Sequence, residues 1–267
     1  MVNGKWGNAV IARSETTRQS HPWRHTLRLL RKPKTLNPFL FLPLMKNYLT
    51  INIAMYVNTQ IIKVDPEIIE PDKIEIIADV LSNDGIIVYP TETFYGLGAN
   101  CFSEEAVKKI YRLKRRAASK PVSVVISDLD MLRSVAVNIP PEFKSLYSEL
   151  WPGPLTLIFK ASALLPKNLL GSAGSIGVRL PGHSWLRSLV RCATFPIAAT
   201  SANVSGEGET TQPEKVIEMF NGKVDLIVDG GKTKGIMPST VVDLTTEKPQ
   251  ILREGAISAS ELSKYIE

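Results

Sequence analysis

Cysteine and histidine are the scarcest reactive residues of this 267-residue chain, at two and three respectively. Cys101 and Cys192 lie far apart and form no Cys-x-x-Cys spacing, so neither a disulfide framework nor a zinc knuckle is indicated, and a reducing compartment is the natural setting. His21 and His25 fall in the N-terminal stretch, which leaves only His183 for the rest of the chain. One histidine is too few for a His-based metal site and cannot complete a Ser–His–Asp set; after Pro181-Gly182 it reads as a helix-start residue. There is no Gly-x-Ser-x-Gly elbow. Long apolar runs are missing too. Pro38 to Met45 is broken by prolines and falls well short of the roughly 20 residues that span a bilayer.

The formal charge of +6 is unevenly spread. Nine of the 32 Lys/Arg and one of the 26 Asp/Glu lie in residues 1–54, giving that stretch +8 and leaving the remainder at −2. The high pI therefore describes a basic, acid-poor leader, and the body is close to neutral. Two readings of residues 1–54 stay open: a start placed too far upstream, with Met45 or Met55 as the true one, or a targeting peptide that would direct the protein to an organelle. In both, the folded domain runs over residues 55–267; the expected location is the cytoplasm, or an organelle if residues 1–54 are a transit peptide.

From Met55 onward the pattern is regular. Pro71 to Ser82 places Ile74, Ile77, Ala78 and Leu81 on one helical face, with proline at the first turn, and Asn83-Asp84-Gly85 stops it. Ile86 to Tyr89 reads as a buried strand delivering Pro90-Thr91-Glu92-Thr93 to a strand end, where ligands bind in α/β sheets. Ser103 is an N-cap candidate for the next helix, with Glu104 and Glu105 in its first turn. Further strands are expected over Val122–Ile126, Leu155–Phe159, Ser175–Leu180, Pro196–Thr200, Val224–Val228 and Thr240–Leu244. Helices are expected over Pro140–Leu150, His183–Cys192 and Pro213–Phe220, and from Ser258 with a Ser258-x-x-Glu261 capping box. Strands and helices interleave without a linker-like stretch, which points to one α/β (α+β) domain.

The usual phosphate-binding signatures fail on inspection. Gly230-Gly231-Lys232-Thr233 imitates the end of a Walker A loop, but Leu226 stands where that motif needs glycine. Gly96-x-Gly98 has Cys101 at the third glycine's place, so its glycines read as serving a tight loop. Lys114, Arg115, Arg116 and Lys120 alone would be a solvated helix end, Thr200 to Asn203 a strand exit, and Arg179 and Arg253 surface pairs. Together these segments put hydroxyls, an amide and cations repeatedly at strand ends, where one pocket would form.

YPTETFYGLG, the K-x-R of Lys114 and Arg116 with Lys120 following, WPGPLT, the VRLP around Arg179, the SxN of Ser201 and Asn203, PSTVVDL and LREG occur in order. In these segments the chain resembles the YrdC/TsaC family, the L-threonylcarbamoyladenylate synthases of tRNA modification. The resemblance implies a mixed, twisted sheet flanked by helices around a concave cavity, in which L-threonine, bicarbonate and ATP become threonylcarbamoyl-AMP and pyrophosphate. A tRNA threonylcarbamoyltransferase machinery would take up the product; no membrane is involved. It further implies that Thr93, Arg179 and Ser239 contact threonine, and that Arg116, Lys120, Ser175, Ser201, Asn203 and Arg253 hold ATP. Lys114 and Arg116 would be the catalytic pair. Mg²⁺ would travel with the ATP, since no carboxylate cluster suggests a dedicated protein cage. The family often has glycine and proline where this chain has Arg115 and Ala117, and the chain resembles the family's short form.

The chemistry suits that set. A threonine carbamate is itself an anionic nucleophile, so the site must supply positioning and positive charge rather than a strong base. Arg179 suits a carboxylate through two parallel hydrogen bonds. Two other readings stay open: an RNA-binding module whose cations meet phosphates, and carbamoyl transfer to a substrate other than threonine.

Overall fold

In the computed structural model the described residues are 58–266 except 118–119, 205, 207 and 236. The leader expected over residues 1–54 lies outside them. Eleven strands form a single mixed sheet: β1 (Gln60–Lys63), β2 (Ile87–Tyr89), β3 (Gly96–Asn100), β4 (Ser123–Val125), β5 (Ala136–Val137), β6 (Leu155–Ala161), β7 (Ser175–Arg179), β8 (Ile197–Ser201), β9 (Leu226–Asp229), β10 (Thr240–Asp243) and β11 (Gln250–Arg253). Their order is β1-β9-β2-β3-β8-β4-β7-β6-β10-β11, with β5 paired to β6 off this path. The pairs β1/β9, β2/β9, β4/β7 and β6/β10 are parallel; β2/β3, β3/β8, β4/β8, β6/β7 and β10/β11 are antiparallel.

Among the described residues seven α-helices cover the two faces: α1 (Pro71–Ser82), α2 (Glu104–Lys114), α3 (Leu129–Val135), α4 (Phe143–Leu150), α5 (Ser184–Ala193), α6 (Pro213–Phe220) and α7 (Ala259–Ile266). The apolar stripe expected on α1 is the buried one, and it packs with Trp185, Leu186, Leu189 and Val190 of α5 over Ile87, Tyr89, Ile197, Leu226 and Val228. On the opposite face α2, α4, α6 and α7 cover Val88, Leu97, Val124, Leu157, Val178 and Ala198. Each such side chain removed from water contributes about 1.5–3 kcal/mol. No helix among the described residues is long and apolar enough to cross a membrane.

The expected caps are present where their chemistry is local. Ser103 accepts from the Ala106 N–H at the start of α2, and Ser258 accepts from the Glu261 N–H at the start of α7. The return contact of a full capping box is replaced by Glu254, whose carboxylate accepts from the Ala259 N–H. His183 precedes α5 as expected. The helix expected from Pro140 starts at Phe143, because Pro141 disfavours helical geometry at the residue before it. Five elements are additions to the sequence reading: α3 with its Asp128 cap, the edge strands β1 and β11, the short β5, and β3.

β3 corrects the reading of Gly96 and Gly98 as loop glycines. They lie in a strand directly across from Tyr89 and Ile87. A Cβ at Gly98 would stand 2.7 Å from the Tyr89 ring and 2.9 Å from Ile197, and one at Gly96 would stand 2.9 Å from the same ring. Glycine is required here by close approach, not by a turn.

Arg115 explains the family's preference for glycine at its position. It ends α2 in the left-handed conformation, φ 50° and ψ 39°, which glycine adopts without steric cost.

Two predictions follow from this packing. Gly98→Ala is expected to lower unfolding free energy by about 1–3 kcal/mol through overpacking against Tyr89, while Gly208→Ala, which meets open space, changes little; urea unfolding of both variants decides it. Arg115→Gly is expected to keep or raise stability, and Arg115→Val to lower it by at least about 1 kcal/mol; equal melting temperatures for the two would refute the strain.

Candidate active site

Side chains two residues apart on a strand share a face. The face carrying Tyr89 also carries Gly96 and Gly98 of β3, Ala199 and Ser201 of β8, Ser123 and Val125 of β4, Arg179 of β7 and Thr156 of β6. These residues are mostly small. Where α1 and α5 stop covering them, the sheet face forms the floor of a cleft enclosing about 910 Å³ with its open mouth included. Arg116, Arg179, Arg253, Thr93, Ser201 and Ser239 all line it, so six of the expected residues converge from separate parts of the chain.

The Thr93 loop is rigidly supported. Thr91 Oγ1 accepts from the Thr93 N–H and donates to the Phe94 carbonyl, while the Thr93 carbonyl accepts from Gly235 N–H at 2.7 Å and Thr233 Oγ1 at 2.8 Å. The segment rejected above as a Walker loop thus has a structural task. Tyr95 strengthens the same joint: its hydroxyl donates to Gly231 O and accepts from Gly230 N–H, and its pKa is pushed up to about 12, mainly by burial.

Arg179 does not sit at the surface as a stray pair. It is 15% exposed, and its Nη2 donates to Glu92 Oε1 at 2.8 Å, an oxygen that also accepts from the Gly182 N–H. Glu92 Oε2 and Arg179 Nε are buried without partners among the described residues. Arg253 likewise does not pair with Glu254 in the way its sequence neighbourhood suggested. Its Nε and Nη2 donate to Ser239 O, and Ser239 Oγ shares a 2.9 Å hydrogen bond with Thr156 Oγ1. Arg116 donates to the carbonyls of Lys120 and Pro121, and burial holds its pKa below the ordinary value.

Lys114, expected as half of a catalytic pair, sits behind the cleft wall. It is 1% exposed and does not line the cleft. Its ammonium donates to the carbonyls of Ser201 and Asn203 and to Asn203 Oδ1, which uses all three N–H donors. Burial first, and Arg116 second, push its pKa down to about 8, with Glu209 opposing; at pH 7 it stays mostly protonated. Asn203 also accepts from Ser201 Oγ and is buried behind the cleft wall rather than lining it. Ser175 opens β7 outside the lining, and the exposed Lys120 contributes its carbonyl to Arg116 and to the Tyr111 hydroxyl.

Sequence reasoning missed Tyr89, Glu92, Ser123, Thr156 and Glu209. Tyr89, Ser123 and Thr156 had a usable signal, because they lie on segments already expected to be strands, Tyr89 within the YPTETFYGLG motif and Thr156 within WPGPLT. Glu92 had none: its partner Arg179 is 87 residues away.

The Sua5/YciO/YrdC family model, described as "Telomere recombination", matches residues 79–255. The threonylcarbamoyl-AMP synthase of Pyrococcus abyssi is 40% identical over 200 residues, covering 75% of this chain and 59% of that protein. The Bacillus subtilis threonylcarbamoyl-AMP synthase is 38% identical over 191 residues, covering 71% of this chain and 55% of its own length. The chain thus spans somewhat more than half the length of these relatives. The crystal structure of P. abyssi Sua5 complexed with L-threonine superposes with a TM-score of 0.75 at 41% identity, over 78% of this chain and 61% of that one. With the family model running through every segment that lines the cleft and the sheet reproduced in a solved relative, the chain belongs to the Sua5/YciO/YrdC family.

Proposed function

We propose that this protein is an L-threonylcarbamoyladenylate synthase, converting L-threonine, bicarbonate or CO2, and ATP into threonylcarbamoyl-AMP and pyrophosphate. The observation that carries the reading is the convergence of Arg116, Arg179 and Arg253 in one cleft among hydroxyl groups, with Glu209 the one carboxylate of its lining among the described residues. Among the described residues no histidine or cysteine lines this cleft, which suits a reaction whose nucleophile comes from the substrate.

The steps are these. The threonine ammonium first loses a proton; the free amine then adds through nitrogen to CO2, which bicarbonate supplies by loss of hydroxide. The N–C bond forms as one C–O π bond opens onto oxygen, and the nitrogen's second proton passes to that hydroxide, leaving the carbamate and water. A carbamate oxygen then attacks the α-phosphorus of ATP; the bond from that phosphorus to the bridging oxygen breaks, and pyrophosphate leaves. Both reactants are anions, so positive charge fixed in the cleft lowers their repulsion as they approach. Arg179, already oriented by Glu92, is suited to the amino-acid carboxylate, with Thr93 and Ser239 as hydroxyl partners. Arg116 and Arg253 are suited to the triphosphate, and Ser201 to a neutral contact with phosphate or ribose. Mg²⁺ would enter with ATP, coordinated largely by phosphate oxygens and water, with Glu209 as the available protein carboxylate.

In this reading the product passes to a tRNA threonylcarbamoyltransferase machinery that modifies the adenosine beside the anticodon. We place the reaction in the cytoplasm, or in an organelle if residues 1–54 prove to be a transit peptide.

Incubated with ATP, L-threonine and bicarbonate, the protein is expected to release pyrophosphate only when all three are present; no threonine- and bicarbonate-dependent release would sink the proposal. Two variants should part company. Arg116→Ala is expected to lose at least about a hundredfold in turnover with an unchanged melting temperature. Lys114→Met removes the donor that three oxygens share; Ser201 O keeps the Asn203 N–H and Asn203 Oδ1 keeps the Ser201 hydroxyl, so the loss is that of a buried charge-assisted network, about 1–3 kcal/mol, and its primary defect should be a lowered melting temperature. A Lys114→Met protein of wild-type stability but no activity would restore Lys114 to the chemistry.

A further inference from the structure

Tyr89 is 1% exposed, and its hydroxyl has no hydrogen-bond partner among the described residues. Its oxygen is not sealed from solvent but opens onto the cleft, where its proton is available to an acceptor that enters from outside. The ring's placement shows where that acceptor would come from. Its Cδ1–Cε1 edge lies over Gly98, while its Cζ and hydroxyl lie over Gly96, 2.9 and 3.1 Å from where a Cβ would be. The ring therefore runs along β3, and its hydroxyl end is over Gly96, which lines the cleft together with Tyr89 and Arg179. Both glycines are thus needed to let the phenol reach the cleft floor. Burial pushes the Tyr89 pKa well above its ordinary value, with Arg179 and Glu92 close enough to add opposing effects, so the hydroxyl is a donor at neutral pH.

We propose that the Tyr89 hydroxyl is a further substrate contact, donating a hydrogen bond to an anionic carboxylate-type oxygen in the cleft beside Arg179. That oxygen belongs either to the amino-acid carboxylate or to bicarbonate and the carbamate made from it. This role rests on the synthase reading above.

The test is Tyr89→Phe, which keeps the ring and removes only the donor, compared with wild type and with Tyr95→Phe. Since the Tyr89 hydroxyl bonds nothing among the described residues and Tyr95 bonds both Gly230 and Gly231, Tyr89→Phe should melt as wild type does and Tyr95→Phe should melt lower. L-threonine titrated alone by calorimetry, and bicarbonate KM from pyrophosphate release, separate the two sources. A threonine Kd raised about tenfold or more assigns the bond to the amino-acid carboxylate; an unchanged Kd with a bicarbonate KM raised to the same degree assigns it to the carbonate side. Both constants within about twofold of wild type, a change below the worth of one hydrogen bond, would overturn the role, and so would a clearly lowered melting temperature. Wild-type protein without threonine-dependent turnover ends both proposals; normal wild-type turnover with an indifferent Tyr89→Phe ends only this one.

Discussion

A single buried ammonium holds the cleft wall in place. Lys114 closes α2, and its three donors end on Ser201 and Asn203, at the exit of β8. The next residues after Lys114 lead to Arg116, and Ser201 faces the cleft, so this contact sets the helix end carrying one cation relative to the strand end carrying one hydroxyl. A charge taken out of water is tolerated only when its donors are satisfied, and here carbonyl-type oxygens satisfy all of them. Such a network is stiff because losing one member strands the others.

The remaining charges are held by similar means. Arg179 leans on Glu92, Arg253 on the Ser239 carbonyl, and Arg116 on the carbonyls of Lys120 and Pro121. Each guanidinium is fixed by part of its donor set and keeps other N–H groups for a ligand, which is the economy that a planar five-donor group permits. The floor between them is hollow because glycine, alanine, serine and threonine occupy alternate positions across neighbouring strands. Tyr89 and Val125 are larger, and two glycines opposite Tyr89 make the room for its ring.

Much of the fold was legible. The 3.6-residue stripes of α1 and α5 and the β-branched runs of β2, β4 and β9 report their own burial, because the signal lies within one element. β3 was illegible for a physical reason: its sequence GLGAN has low strand propensity, and the strand exists because β2 and β8 pair it on both sides and Tyr89 needs its bare backbone. β11 and β1 are short edge strands with little apolar patterning, so only their neighbours define them.

For the site, the sequence by itself determined which chemical groups are present and that they fall at strand ends: arginines, hydroxyls and an amide, without a nucleophilic cysteine or a second body histidine. Its ordered motifs also determined the family. Only the tertiary structure decided which of these groups face the ligand. Lys114 and Arg116 differ by two positions, yet one is sealed behind the wall and the other lines the cleft. The left-handed turn at Arg115 separates them, and the acceptors that claim Lys114 lie 87 and 89 residues further along the chain. Burial and hydrogen-bond satisfaction are properties of what packs nearby, and for this site nearly everything nearby comes from elsewhere in the sequence.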